Sequence, residues 1–479
     1  MDEVPLDVVA YALGFLASKP LASATQVSKT FQKSAVHAVD STCRSAGIPT
    51  PECANMRPAR ALHFVETLLL SRSRQRLLSA SATHCVRVLG DGSLAINGDM
   101  GLPSTTGRGA AHAAPNGGDS PAGSPPASPG MKAAAGPQLL QEEDIEDALP
   151  ASAAGAVEVV AVAAGDGFGL AATACGACFS WGEDADGALG HGERQAVAAP
   201  KRVRALASVR VVDVAAGFSH AIAVSADGVA YSMGWGHGGR LGHGNDLSCT
   251  VPRAIAALQG LAKIVVAAAG EDHSVLVDDR GRAWAFGVGT DGQLGVGDEA
   301  PRLAPALVTG PLAAEHVVHA AAGERHTVFV TAAGTVYTCG AGEHGRLGHG
   351  DEDPRTSPEL VSSLAHHLAV TAAAGARHTA VLDDEGCVWT FGHNAAGQLG
   401  HSGAPAAGAT RPGRMDALPA AVEAQSVSAG PEHTLVLAVD GSCYAVGELP
   451  VRTHRLESDE EEEGEEEGGE AAGAATDAA

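Results

Sequence analysis

The chain has 479 residues and a formal net charge of −25, a balance that argues against direct, phosphate-driven contact with nucleic acid. Hydrophobic residues make up 45% of it but aromatic residues only 4%, so the core is expected to be built from Ala, Val and Leu. Apolar runs stay short of the roughly 18 residues that a membrane span needs. Asp2 and Glu3 stand where a secretory leader would be basic. The nine cysteines are odd in number and scattered, as reduced thiols are. These features predict a soluble protein of the cytoplasm and/or nucleus with no membrane contact.

In chain order, residues 1–45 read as a small α-helical domain. Pro5 suits a first helical turn, Val9, Leu13 and Leu16 recur at helical spacing, and Leu21, Ala24, Val27 and Phe31 continue the period after a break at Lys19-Pro20. Residues 46–76 form a linker and a connecting helix, with Leu62, Val65 and Leu69 on one face. Residues 77–456 carry repeats, interrupted by a low-complexity insert at 103–138 that is rich in Pro, Gly, Ser and Ala and is expected to be disordered. Residues 457–479 form an acidic tail with eleven carboxylates and no basic residue. Most simply, that tail is a solubilising disordered end.

The repeats are defined by two phased strings. Gly-x-Leu-Gly closes at Gly190, Gly242, Gly295, Gly348 and Gly400, in steps of 52, 53, 53 and 52 residues. Ala-Ala-Gly-x-x-His keeps the same beat at Gly217, Gly270, Gly323 and Gly375. Each unit holds a strand such as 211–214, a glycine turn, a second strand such as 221–224, an Asp227-Gly228 hairpin and a third strand from Val229. A Pro-led strand such as 252–255 follows. Four short strands per repeat is the content of a propeller blade. Counting the degenerate copies at Ser81–His84, Gly165–Phe168 and Gly430–His433 gives seven, so the predicted fold is an all-β seven-bladed β-propeller with a small N-terminal helical domain.

Periodicity also disarms the apparent active sites. His220, His273, His326, His378 and His433 recur once per unit, so a ring would hold them apart rather than gather them as metal ligands. They are expected to cap the turn by hydrogen bonding, across to the next blade. Gly340-x-Gly342-x-x-Gly345 mimics a dinucleotide motif, but a Leu-Gly turn and a Pro-led strand follow instead of a helix. Cys175-x-x-Cys178 lacks the second pair that zinc needs, and His366-His367 reads as a solvated loop. No catalytic residue, metal ligand or cofactor is predicted. The variable residues between Gly and His form a charged rim: Phe218, Glu271, Asp272, Glu324, Arg325, Arg377 and Glu432 are the candidate target-binding residues.

The phased strings, among them Phe286-Gly-Val-Gly-Thr-Asp-Gly-Gln-Leu-Gly295 and Cys339-Gly-Ala-Gly-Glu-His-Gly-Arg-Leu-Gly348, are similar to the regulator of chromosome condensation (RCC-type) repeat family, whose members are seven-bladed propellers. Residues Val4-Pro-Leu-Asp-Val-Val9, Leu13-Gly-Phe-Leu16, Leu21 and Val27-Ser-Lys-Thr-Phe31 resemble an F-box, although the Trp expected near its end is absent. The F-box resemblance implies that Pro5, Leu6, Leu13, Leu16, Val27 and Phe31 divide between the box's own core and the face that docks the adaptor subunit of a cullin-type ubiquitin ligase. The chain would then be a substrate receptor whose propeller holds an unidentified target protein. A helical cap on the propeller is the competing reading of the same segment.

Guanine-nucleotide exchange on a small GTPase, as the founding member of the repeat family performs, ranks second: the resemblance implies a protruding hairpin wedge, the constant period leaves no insertion in blades two to six, and the insert at 103–138 is too rich in Pro and Gly to be that hairpin. A light-sensing branch of the family places Trp between Gly and His, where this chain has Glu, Arg, Ala and Ser. Three Ser-Pro steps at Ser120, Ser124 and Ser128, and Ser458 ahead of Asp459-Glu460-Glu461, are candidate phosphorylation sites.

Overall fold

A computed structural model describes residues 78–81, 84–88, 94–98, 138–139, 158–402 and 407–449. The expected helical domain at 1–45, the linker at 46–76, the acidic tail and the serines at 120, 124, 128 and 458 lie outside these residues. So do the adaptor-docking candidates Pro5, Leu6, Leu13, Leu16, Val27 and Phe31. Of the insert, only Gln138 falls inside them.

Five blades follow the predicted four-strand plan along the chain, spanning 159–202, 211–254, 264–307, 317–360 and 369–414. Each is an antiparallel meander with its first strand innermost. The strand His220–Ser225, for example, pairs with Val211–Ala216 on one side and Ala230–Gly234 on the other. The second strands are buried along their whole length, as in Val275, Leu276 and Val277, whereas the fourth strands alternate partly exposed residues at the rim.

The sixth blade is closed by a strand from far upstream. Strands Ala424–Ala429, His433–Ala438 and Cys443–Gly447 take their fourth member from β4 (Gln138–Leu139), with Tyr444 opposite Leu139 and Ala445 opposite Gln138. The first sequence copy is left with three strands, β1 (Leu78–Ala80), β2 (His84–Val88) and β3 (Leu94–Gly98). This corrects the predicted seven blades: the described residues form a six-bladed propeller of four-stranded blades. Beside them stands the three-stranded sheet, which lies between the last blade and the blade 159–202. Leu78 and Cys85 share a core with Leu435, Leu437 and Cys443, and Val86 packs with Val159, Val162 and Trp181. Counting motifs counted turns; a blade also needs a fourth strand, and here the last blade takes it. No α-helix is present among the described residues.

The repeated glycines have two separate physical reasons. Gly190, Gly242, Gly295, Gly348 and Gly400 all adopt positive φ, between 63° and 82°, a region that L side chains avoid. Each also sits against a residue of the next blade's third strand: Met233 for Gly190, Phe286 for Gly242 and Phe391 for Gly348. The Ala-Ala-Gly glycines have ordinary φ, but a Cβ on Gly217, Gly270, Gly323 or Gly375 would overlap the carbonyl oxygen of the equivalent glycine in the next blade. Blades therefore converge at these points closely enough for Phe218 N–H to donate to Gly270 O, and Glu271 N–H to Gly323 O, both at 3.2 Å.

Candidate protein-binding face

The turn after each first strand and the long loop after each third strand emerge at the same end of the propeller. Register fixes this: His220 pairs with Gly234, and Trp235 N–H donates to Ser219 O at 2.9 Å. The Gly-to-His pairs and the glycine-rich loops therefore build one face, around the mouth of an axial cavity of about 450 Å³. Its walls are the inner strands, rich in small residues such as Ala163, Ala215, Ala268 and Ala373.

Beneath the face, the repeated histidines bond to the next blade as the sequence predicts. His220 Nε2 lies 2.9 Å from Ser274 Oγ, and His273, His326 and His378 make the same 2.9 Å contact with Thr327, Thr379 and Thr434. All four imidazoles are fully buried, and burial lowers their pKa values, to about 4 for His273 and about 3 for His378. His433 and Cys85 Sγ are 3.5 Å apart, which links the last blade to β2. A second histidine series went unnoticed in the sequence: His191, His243, His349 and His401 lie 2.7–3.1 Å from the Ser or Thr hydroxyl of their own third strand. His367 is also no simple solvated loop residue, because its ring packs against Trp389 with centroids 4.0 Å apart and the planes tilted by 42°.

The candidate rim residues divide into two halves. On one side Phe218 is 49% exposed, with Asp166 before it and Glu271 after it around the mouth. Burial raises the pKa of both carboxyls, and the neighbouring Glu324 and Asp272 carboxylates push Glu271 further up. Asp272 points instead to Arg240, whose Nη2 it meets at 2.6 Å. Arg240 is almost fully buried; it also donates to Ser219 Oγ at 3.2 Å, Glu271 O at 3.1 Å and His237 O at 3.0 Å. Its guanidinium lies 4.3 Å from the centroid of the half-exposed Trp235 ring, which also stacks on His237 with centroids 5.3 Å apart.

The opposite half is held by arginines. Glu324 sits 3.5 Å from Arg325 Nε and 3.7 Å from Arg377 Nε, and Arg325 reaches Asp291 at 4.0 Å. Arg346 is buried like Arg240, donating to the Glu343 and Ala376 carbonyls and pairing with the Glu343 carboxylate at 3.2 Å. Nearby, the His344 and His393 rings are 4.7 Å apart, and burial with the adjacent His344 and Arg377 lowers the His393 pKa. Glu432 is exposed but does not line the cavity, whose wall there is Gly430 and Pro431.

Asp166, Trp235, Arg240 and Arg346 were missed in the sequence. Asp166 was legible by repeat register, since it follows Gly165. Arg240 and Arg346 occupy the variable position of Gly-x-Leu-Gly, which Gln293 and Gln398 fill in other units. No group of His, Cys, Asp and Glu among the described residues could hold a metal ion. Cys175 is exposed and Cys178 buried, and both are free thiols. Gly340, Gly342 and Gly345 flank a single turn of 3-10 helix that leads to the strand Arg355–Leu360.

Comparison with known proteins adds relatives to this geometry. The family model described as RCC1-like domain matches residues 55–436. The ultraviolet-B receptor UVR8 of Arabidopsis thaliana is 35% identical over 291 residues, 60% of this chain and 65% of the receptor. Human E3 ubiquitin-protein ligase HERC2 is 34% identical over 285 residues, 59% of this chain but 6% of the ligase. The chain thus spans less than two thirds of either relative. Among solved structures, Prp20p of Saccharomyces cerevisiae superposes with a TM-score of 0.58 at 18% identity, covering 78% of this chain and 82% of that one. Human WBSCR16 gives 0.54 at 22% identity, with 61% and 77% covered. At such identities the two structures establish the fold alone. No helix of the described residues is long and apolar enough to cross a membrane.

Proposed function

Because the chain belongs to the RCC1-like domain family, we propose that it is a non-enzymatic protein-interaction scaffold whose turn-and-loop face holds a target protein. The observation that carries this reading is the face itself. It presents exposed Phe218 and Trp235 beside fixed charges, and aromatic anchors within a charged rim are the usual composition of a protein-binding hot spot. Nothing in its geometry gathers a nucleophile, a base and an orienting partner, as a reaction centre would require.

The more specific reading is a substrate receptor of a cullin-type ubiquitin ligase. Residues 1–45 would dock the adaptor through Pro5, Leu6, Leu13, Leu16, Val27 and Phe31, while the propeller face carries the target. The F-box resemblance supports it, as does the similarity of this chain over 285 residues to a ubiquitin ligase, HERC2. The contribution would be proximity, holding a target lysine near the transfer machinery. Affinity purification with and without residues 1–50 tests it. Adaptor and cullin subunits should co-purify with the full chain and vanish on truncation; their absence from the full chain sinks the receptor reading.

A second reading is a small-GTPase partner or exchange factor in the cytoplasm and/or nucleus. It is favoured by the likeness to Prp20p, which is described with its binding properties to Gsp1p and histones. A nucleotide-release assay against a panel of GTPases decides it: fast release would place exchange first.

A further inference from the structure

We infer that the acidic half of this face, at the mouth of the axial cavity, takes a basic side chain of a partner protein, a lysine or arginine two residues from an apolar residue in an extended segment. This rests on the platform reading and adds the chemistry of what is held.

The cavity joins two features that seldom coincide. Its walls are alanines and valines of the inner strands, while its mouth on this side carries Asp166, Phe218 and Glu271 in consecutive blades. A long cationic side chain laid across the mouth matches that pairing: its methylenes lie over Phe218 while its head stays among the carboxylates. Two polar groups deeper in the cavity bond to its walls. Asp213 Oδ2 accepts from Ala267 N–H at 3.2 Å, and His319 Nε2 donates to the Ala372 carbonyl at 2.8 Å. The carboxylates open to a partner at the mouth are Asp166 and Glu271.

Electrostatics give the site its sign. Asp166 and Glu271 are partly buried, and Glu271 also faces the like charges of Glu324 and Asp272. Two built-in guanidiniums partly offset this at Glu271, and both have other partners: Arg325 pairs with Glu324, and Arg240 with Asp272 and three other acceptors. An incoming cation relieves that repulsion in a partly desolvated setting, where charge pairing is strongest. In the two blades after Glu271, Arg325 and Arg377 hold Glu324 and repel cations, which directs the basic group to the Asp166 side of Glu271.

The apolar neighbour has a place as well. Phe218 is 49% exposed and Trp235 is 38% exposed, and the Leu247 backbone lies against Gly236, next to Trp235, with its side chain 67% exposed. Arg240 and His237 fix the Trp235 ring, so little side-chain entropy is lost when a partner covers it.

The test is fluorescence anisotropy on the purified full chain with an arrayed library of short extended peptides. Two positions, two residues apart so that both face the same side of the extended peptide, are varied among Lys, Arg, Glu, Ser, Leu and Phe. Peptides pairing Lys or Arg with Leu or Phe should bind best, and more weakly as salt rises. Glu271→Gln, Asp166→Asn and Phe218→Ala should each weaken that binding by about tenfold, at an unchanged thermal midpoint, whereas Arg377→Ala should not weaken it. A library with no binder, a preference for acidic peptides, or binding indifferent to Glu271→Gln overturns the inference. If proteins co-purified with the chain still depend on the face while these peptides do not bind, the platform stands and the basic-anchor reading alone falls.

Discussion

Thr379 in one blade and His326 in the preceding one form a fixed donor chain. The Thr379 hydroxyl gives its single proton to the Arg346 carbonyl at 2.8 Å, so at 2.9 Å it can only accept from His326 Nε2. The imidazole is therefore the neutral Nε2–H tautomer, with a buried Nδ1 that bonds nothing. Ser274, Thr327 and Thr434 repeat the arrangement with the carbonyls of Arg240, Gln293 and Gln398. Each chain ties a histidine to the next blade and back to a loop of its own.

Thr379→Val keeps the shape but strands both the His326 N–H and the Arg346 carbonyl in a dry site. We expect a loss of about 2–4 kcal/mol in chemical denaturation, since each unsatisfied buried group costs about 1–3 kcal/mol. Thr379→Ser should retain most of the stability, because the hydroxyl is what matters.

Acid should unfold the propeller through the same histidines. Their folded pKa values are depressed, to about 4 for His273 and His433 and about 3 for His378, against about 6.5 in the unfolded chain. The unfolded state then binds more protons throughout that interval, so stability is complete above about pH 6.5 and drains away toward about pH 4. Thermal midpoints measured across this range should fall steeply with acid. A flat profile between about pH 6.5 and pH 4 contradicts the assignment.

Gly323→Ala and Gly441→Ala separate the two roles of glycine. At Gly323 the new methyl meets the Gly375 carbonyl and the His326 ring, so blades must part, at about 1–3 kcal/mol or more. At Gly441 φ is 86° and the space is open, leaving only backbone strain of roughly 1–2 kcal/mol. Denaturation midpoints should rank Gly323→Ala below Gly441→Ala.

Arg240→Ala should be destabilising by about 2–3 kcal/mol, as it leaves Asp272 and buried acceptors without their donor. Arg240→Lys should recover only part, because a single ammonium cannot reproduce a fork that serves four acceptors. It should also unfix Trp235, read as a red-shifted, more quenchable tryptophan emission.

The split of the fold between sequence and structure follows from range. Strands, hairpins and glycine turns were legible because they are set by residues a few positions apart: Asp227-Gly228 turns one hairpin, and positive φ demands glycine at Gly242. The partner of His326 was legible only as a role, since Thr379 is 53 positions away. The expected blade count failed for the same reason. Gln138–Leu139 pairs with Tyr444 and Ala445, a contact no local pattern encodes.

The candidate site shows the same limit. Phe218, Glu271 and Glu324 could be nominated as variable residues in a repeated frame, yet their grouping at one mouth, the burial of Arg240 and the commitment of Asp272 to it arise only when blades pack. By itself the sequence determined the repeating unit, its turns and the small residues that line an axis, because those rest on local sterics. Tertiary structure decided how many blades are complete, which charges are spent on one another and which stay open to a partner, because ion pairing and strand pairing are settled by distances across the ring rather than along the chain.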